Sequence, residues 1–398
     1  MRTKLFFYSI SLLTLFSACS KVIIYEPSAE EIELYSQIYM PRAERGAVSV
    51  PLSLAEQQLT FTYNAFLGGP IDARNDISVR FGVDPNKVAA YNETNNTDYQ
   101  LLPEEAYELE VTHATIGAGQ RTTGDFQLKI VSGPHLELFQ NYLLPISILD
   151  AENSVNNMLA TTYYLFSVSY EPGKVPRELV LSMGSNWGNI LSNGVRGTLI
   201  RRDANNDILV YEPDEQGVFS AAPQVAGINW DASESFYYVN ENTIVVRNYP
   251  YWAGLFNFRV DDDYVLHGAD PFWLGDFWDQ FRLIPFNDFF LTVDGGGVMR
   301  RQPALTDVNA PKTEVGSGFG GFKQLLAYDD SLLALAHDGR LWLYEMSDQA
   351  VPGPRRQVGS GWEMYQQIIV SGSDILALDG AGDVYRYKFN PNGFFPLK

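Results

Sequence analysis

The 398-residue chain has room for two to three domains, and its 45% hydrophobic and 19% charged residues supply a packed core and exclude wholesale disorder. A net charge of −20 argues against nucleic acid and anionic lipid headgroups as partners, while a soluble neutral ligand stays compatible with it. One cysteine excludes a disulfide framework or a thiolate metal site, and His113, His135, His267 and His337 lack metal-ligand spacing, so neither metal nor cofactor is expected. An aromatic content of 14%, with 33 glycines, favours strands and turns over helices.

The chain opens on "MRTKLFFYSISLLTLFSACS", with Arg2 and Lys4 ahead of an apolar run from Leu5 to Phe16. That run is too short to span the ~30 Å of bilayer hydrocarbon as a permanent helix, but it fits an export signal. The only cysteine, Cys19, follows Ser17 and Ala18. This arrangement resembles a bacterial lipoprotein signal, with Phe16 where leucine is usual. The resemblance implies a signal peptide over residues 1–18, cleavage before Cys19, lipidation of its thiol, and a lipidated tether over 19–45. The expected location is the outer membrane, with the lipid anchor as the sole membrane contact. Ser20, Lys21 and Val22 follow the cysteine, which leaves periplasmic and cell-surface orientations both open.

From residue 46 the pattern becomes β. "AVSVPLSL", "QLTFTYNAF", "DISVRFGVD", "YELEVTHATI", "DFQLKIVS", "YLLPISILD" and "TTYYLFSVSY" alternate or run apolar, separated by glycine and proline turns. Seven such strands within residues 46–170 predict a two-sheet sandwich. A short helix, "DPNKVAAYNETN", interrupts them, with Asp84 as its N-cap and Pro85 in the first turn. Tyr91-Asn92, Tyr99, Leu102-Pro103, Tyr107, Ile116, Gly119, Tyr142 and Leu144-Pro145 occur in an order that resembles an immunoglobulin-like domain of unknown function from Bacteroidetes-type surface lipoproteins. The resemblance implies a spacer that holds a second domain off the membrane, often within polysaccharide-utilisation systems.

"EPGKVPRE", residues 171–178, reads as a linker, which leaves 179–398 for a second domain. There "LLALAHDGRLWLY" at 332–344 returns as "ILALDGAGDVYRY" at 375–387, an offset of 43. Upstream, "VGSGFGGFKQLLAY" returns as "VGSGWEMYQQIIVS" at the same offset. Trp187, Trp230, Trp278, Phe319 and Trp362 open five units spaced 43, 48, 41 and 43 residues apart. A period of about 40–45 residues with several strands per unit is the signature of a β-propeller. Leu333 and Leu335 alternate with Ala334 and Ala336, which suits a sheet packed on both faces. The fold class expected is therefore all-β: an immunoglobulin-like sandwich followed by a five-bladed propeller. A duplicated hairpin in a second sandwich is the alternative. "VGSGFGGFKQLLAYDDSLLALAHDGRLWLY" also resembles the repeat of tachylectin-type propeller lectins, which implies binding of N-acetylated sugars between blades. The Asp-Asn-Trp element of those lectins has no counterpart here; "SDQAVPGPRRQVG" and "TDVNAPKTEVG" stand in its place.

Sugars are held by aromatic faces against their C–H surfaces and by amides and carboxylates on their hydroxyls. "RNYPYWAGLFNFRVDDDY" and "HGADPFWLGDFWDQF" are rich in both, so Tyr251, Trp252 and Trp273 form one candidate platform. The repeat-opening tryptophans Trp187, Trp230, Trp278 and Trp362 form a second candidate set; regular spacing equally fits packing. "DANND", residues 203–207, mimics the start of a calcium loop without its glycine and glutamate and reads as a turn. Asp261-Asp262-Asp263 fits either a solvated loop or a weak cation site.

The expected function is glycan capture beside other glycan-uptake proteins. The alternatives are a propeller glycosidase that uses Asp263, Asp270, Asp276 or Asp279, and a protein-docking scaffold.

Overall fold

The computed structural model describes residues 28–184, 190–193, 195–228, 230, 233–240, 242–248, 255–275, 282–305 and 310–398. These are almost entirely strands and turns, with α-helices at Ala29–Tyr35 and Asn86–Asn95. No described helix is long and apolar enough to cross a membrane. The chain divides into two units. The first takes in residues up to Val50, Gln57–Val131 and Asn141–Phe166; the second takes in Pro51–Glu56, Ser132–Gln140 and Ser167–Lys398.

The first unit is built on two main sheets. In the larger, Val48–Ser53, Thr161–Ser169, Asn141–Ala151, Ile77–Val83 and His113–Ile116 follow one another, and Gln100–Leu101 joins Asn141–Ala151 in parallel. The smaller aligns Gln58–Tyr63, Phe126–Val131 and Tyr107–Leu109. Alternation sends Tyr63, Phe81, Leu128, Ile146 and Phe166 inward, all at most 2% exposed. The rings of Tyr63 and Phe81 meet edge to face at 5.2 Å. "YELEVTHATI" is not one strand: Tyr107–Leu109 lies in the smaller sheet and His113–Ile116 in the larger. The intervening Glu110 and Thr112 bond to Gln127 and Phe81 respectively, so the chain changes sheets there.

The helix begins one residue later than its sequence suggests, but Asp84 still serves it, since its Oδ1 accepts the Asn86 N–H at 3.1 Å. At the far end Asn92 and Tyr99 bond reciprocally: the Asn92 amide donates to the Tyr99 carbonyl, and the Tyr99 N–H returns to Asn92 Oδ1. Tyr91 packs on Tyr163 with ring centroids 5.0 Å apart. The residues 36–45, expected to be tether, are folded into this unit. Ile38 and Met40 are fully buried, and their N–H groups donate to the carbonyls of Ser154 and Leu159. Two apolar residues at strand spacing are enough to dock the segment.

The described residues of the second unit form five sheets in chain order, antiparallel apart from one short added strand. The first sheet is Ile190–Asn193, Leu199–Arg202, Ile208–Tyr211 and Gln224–Gly227. The second is Ser233–Asn240, Thr243–Asn248, Leu255–Val260 and Leu266–Gly275. The third is Arg282–Phe286, Phe289–Val293, Met299–Pro303 and Thr313–Gly316. The fourth is Phe322–Tyr328, Ser331–Ala336, Leu341–Met346 and Pro352–Ser360, with Phe395–Pro396 added in parallel. The fifth has only three strands of its own, Gln367–Ser371, Asp374–Leu378 and Asp383–Tyr387; its fourth is Glu178–Ser182 from the start of the unit. A stretch expected to end the linker thus supplies a strand.

Each sheet is covered on both faces. Ile208 and Val210 of the first pack with Ile244 and Val246 of the second. Val245 meets Leu283 and Phe290 of the third. Leu291 and Met299 meet Leu332 and Ala334 of the fourth. Leu333 and Leu335 meet Ile375 and Ala377 of the fifth. Leu376 and Leu378 then meet Leu199 and Leu209 of the first. Alternation along one strand therefore serves two interfaces, which is what the repeated leucine–alanine pattern encodes. The leading strands of the five sheets neighbour one another in the same cyclic order.

A shared local grammar underlies the repeat. Asp203, Asp294 and Asp379 each close the turn after a second strand by accepting N–H groups two and four residues on, at 2.8–3.0 Å. "DANND" is accordingly a turn. In these turns Asn206, Gly297 and, at the matching place in the fourth sheet, Gly339 have φ of 65°, 79° and 80°. Their carbonyls accept the N–H groups of Trp230, Phe319 and Trp362, which open the following repeats. Three residues before each aromatic stands a glycine, Gly227, Gly316 or Gly359. A Cβ on Gly227 or Gly359 would collide with the indole of Trp230 or Trp362. The glycine–aromatic spacing is thus a steric pair.

Candidate functional site

The leading strands of all five sheets line one cavity of about 460 Å³ in the second unit. Ser192, Val239, Pro285, Ala327 and Val370 are half-buried on its wall. Each stands one residue short of the end of its strand, or next to that end, as the first hairpin of its sheet closes. The turns carry Asn287 and Asp329 to the wall at φ of 50° and 49°. The left-handed backbone suits Asn and Asp, whose short polar chains tolerate it. Asn193, Tyr237, Tyr238 and Gln367 complete the polar lining. The wall therefore combines apolar surface with amide, hydroxyl and phenol groups, and Asp329 is its single described carboxylate.

Asn193 Oδ1 is shielded from solvent and has no hydrogen-bond partner among the described residues. Sequence reading missed these residues. Ala327 and Val370 are 43 apart, so the repeat register pointed to equivalent places, but nothing in composition marks a cavity-facing position.

Of the residues singled out from sequence, Cys19, Trp187, Tyr251, Trp252, Trp278, Asp276 and Asp279 lie outside the described residues. Trp273 and Asp270 fall in the strand Leu266–Gly275, where Trp273 stands opposite Phe256. Trp362 is fully buried: its Nε1–H donates to the Phe395 carbonyl at 3.3 Å, and Tyr387 lies 5.1 Å away ring to ring. It is core, which corrects its place among the candidate sugar contacts. Trp230 is half-buried, packed against Phe258 at 4.8 Å between the first two sheets.

Asp261 spends its carboxylate on the N–H groups of Asp263 and Val265. Asp262 pairs with Arg196 at 3.1 Å, and Arg196 lies over the Tyr264 ring at 5.4 Å. Asp263 is exposed in the same turn. Among the described residues no cluster of three His, Cys, Asp or Glu side chains could hold a metal ion.

Residues 34–155 match a family model described as "-like, N-terminal domain". No curated protein matches the chain. Among solved structures, a candidate carbohydrate binding protein from Bacteroides ovatus ATCC 8483 is similar at 12% identity and a TM-score of 0.33, over 88% of this chain and 95% of that one. A Bacteroides ovatus protein of unknown function is similar at 11% identity and a TM-score of 0.29, over 91% and 92%. Myxococcus xanthus glutaminyl cyclase is similar at 12% identity and a TM-score of 0.35, over 54% of this chain and 97% of its own. All three are distant likenesses.

Proposed function

We propose that the second unit is a five-bladed β-propeller and that the chain is an exported lipoprotein which binds a glycan in the propeller's central cavity. The observation that carries this reading is the cavity wall, where five equivalent strands present small apolar surface beside Asn193, Tyr237, Asn287 and Gln367. Apolar surface covers the C–H face of a sugar ring, while amides and hydroxyls exchange hydrogen bonds with its hydroxyls. The aromatic stretch around Tyr251, Trp252 and Trp273 remains a second contact surface in this reading.

A glycan array probed with the chain from residue 20 onward should show saturable binding to a limited set of sugars. Ala327→Phe fills the cavity from its wall and should weaken that binding at least tenfold. Some destabilisation will accompany the larger side chain, of about 1–3 kcal/mol. An array without signal, or full affinity in folded Ala327→Phe protein, overturns the cavity as the site. The parallel variant Trp252→Ala/Trp273→Ala locates the ligand on the aromatic stretch if it alone loses affinity.

The anchor rests on Cys19 following the apolar run. Cys19→Ala should move the exported protein from the detergent phase to the aqueous phase in a partitioning assay. Unchanged detergent partitioning would remove the lipoprotein reading.

A further inference from the structure

The chemistry of the cavity wall is one-sided. None of its described lining residues is Lys, Arg or His, whereas Asp329 brings a carboxylate to it. Ser192, Tyr237, Tyr238, Asn287 and Gln367 add uncharged polar groups. Such groups pair with a ligand's hydroxyls and amides and supply no counter-charge for an anion. An anion brought to the same wall would lose its hydration, meet no described cation, and face the Asp329 charge. The net charge of −20 adds a repulsive field to its approach.

We infer that the cavity selects an uncharged sugar residue, whose hydroxyls bond the Asp329 carboxylate and the Asn287 amide, and rejects acidic sugars. This rests on the glycan-binding reading above and narrows its substrate class. Val239, Pro285, Ala327 and Val370 supply the surface for the C–H face of the ring.

Calorimetry on the chain from residue 20 onward decides it, with methyl glucoside, galactoside and mannoside set against the matching methyl uronides. At least one neutral glycoside should bind, and its uronide should bind at least tenfold more weakly at neutral pH and low salt. Asn287→Gly keeps the left-handed turn and removes an amide from the wall, and it should weaken the neutral ligand several-fold with folding retained. Asp329→Asn preserves a residue suited to the left-handed turn and should narrow the gap between neutral and acidic sugars. Equal affinity for uronides, or unchanged neutral affinity in both variants, overturns the inference and leaves glycan binding standing. A wild-type protein that binds no sugar on the array or here removes both.

Discussion

Trp362→Ala should cost the second unit about 3–5 kcal/mol, a large share of a domain's usual stability. The indole is fully buried in the cluster between the fourth and fifth sheets, with Tyr365 and Tyr387 around it. Its removal opens a cavity that the neighbours cannot fill, since Gly359 beside it has no side chain to offer. The Phe395 carbonyl also loses its donor, in the short strand that joins the edge of the fourth sheet. Denaturant unfolding should therefore show the transition of the second unit moving to lower concentration while that of the first stays put. Sugar affinity of the protein that remains folded should be unchanged. A variant of full stability and weakened sugar binding would restore Trp362 as a ligand contact.

Deleting residues up to Ser182 should leave a second unit that does not fold. Glu178–Ser182 pairs along Asp383–Arg386, and Val180 and Leu181, at 1% and 3% exposure, sit in the cluster joining the fifth sheet to the first. Two buried aliphatic side chains contribute about 1.5–3 kcal/mol each, and each lost strand hydrogen bond adds roughly 1 kcal/mol. The sum approaches the whole stability of a domain. The bare edge of Asp383–Tyr387 would also become a template for aggregation.

A fragment beginning at 179 fares better but loses Glu178, which pairs with Arg386 at 2.6 Å. It also loses Arg177, whose guanidinium donates to the Tyr365 hydroxyl at 2.8 Å and lies over the Tyr385 ring at 4.1 Å. Starting at Ser167 should be better still, because Tyr170 and Val175 pack against the same core. Circular dichroism and melting curves of the three fragments should rank them in that order. A native-like melt for the fragment from 183 would show the fifth sheet to be stable with three strands.

What the sequence disclosed follows from how local each signal is. The all-β character, the alternation of Leu333 and Leu335 with alanines, and the turn at Asp203 depend on neighbours within a few residues, and all three are visible in the chain. Features that depend on distant partners were hidden. "YELEVTHATI" alternates without a break, and only the partners of Glu110 and Thr112 reveal that it crosses between sheets. Ile38 and Met40 look like tether until their distant carbonyl partners, Ser154 and Leu159, are known.

The opening aromatics illustrate a different limit. Spacing located Trp230, Phe319 and Trp362, yet it could not tell a ring facing ligand from a ring lying on a glycine three residues earlier. The cavity residues were least legible. Ser192, Pro285, Ala327 and Val370 share a place in their hairpins but no chemistry, so only the shared geometry groups them.

The pairing of Glu178 with Arg386 spans 208 residues. Closing so long a loop is cheap at equilibrium, since each doubling of length adds only about 0.6 kcal/mol. In time it is expensive, because such distant contacts form late. During synthesis the first sheet can form early, but the face it will share with the fifth stays bare until Ile369, Leu376, Leu378 and Val384 emerge. The fifth sheet therefore keeps an open edge until Glu178–Ser182 and Asp383–Tyr387 meet, and that one pairing acts as the late clasp of the second unit.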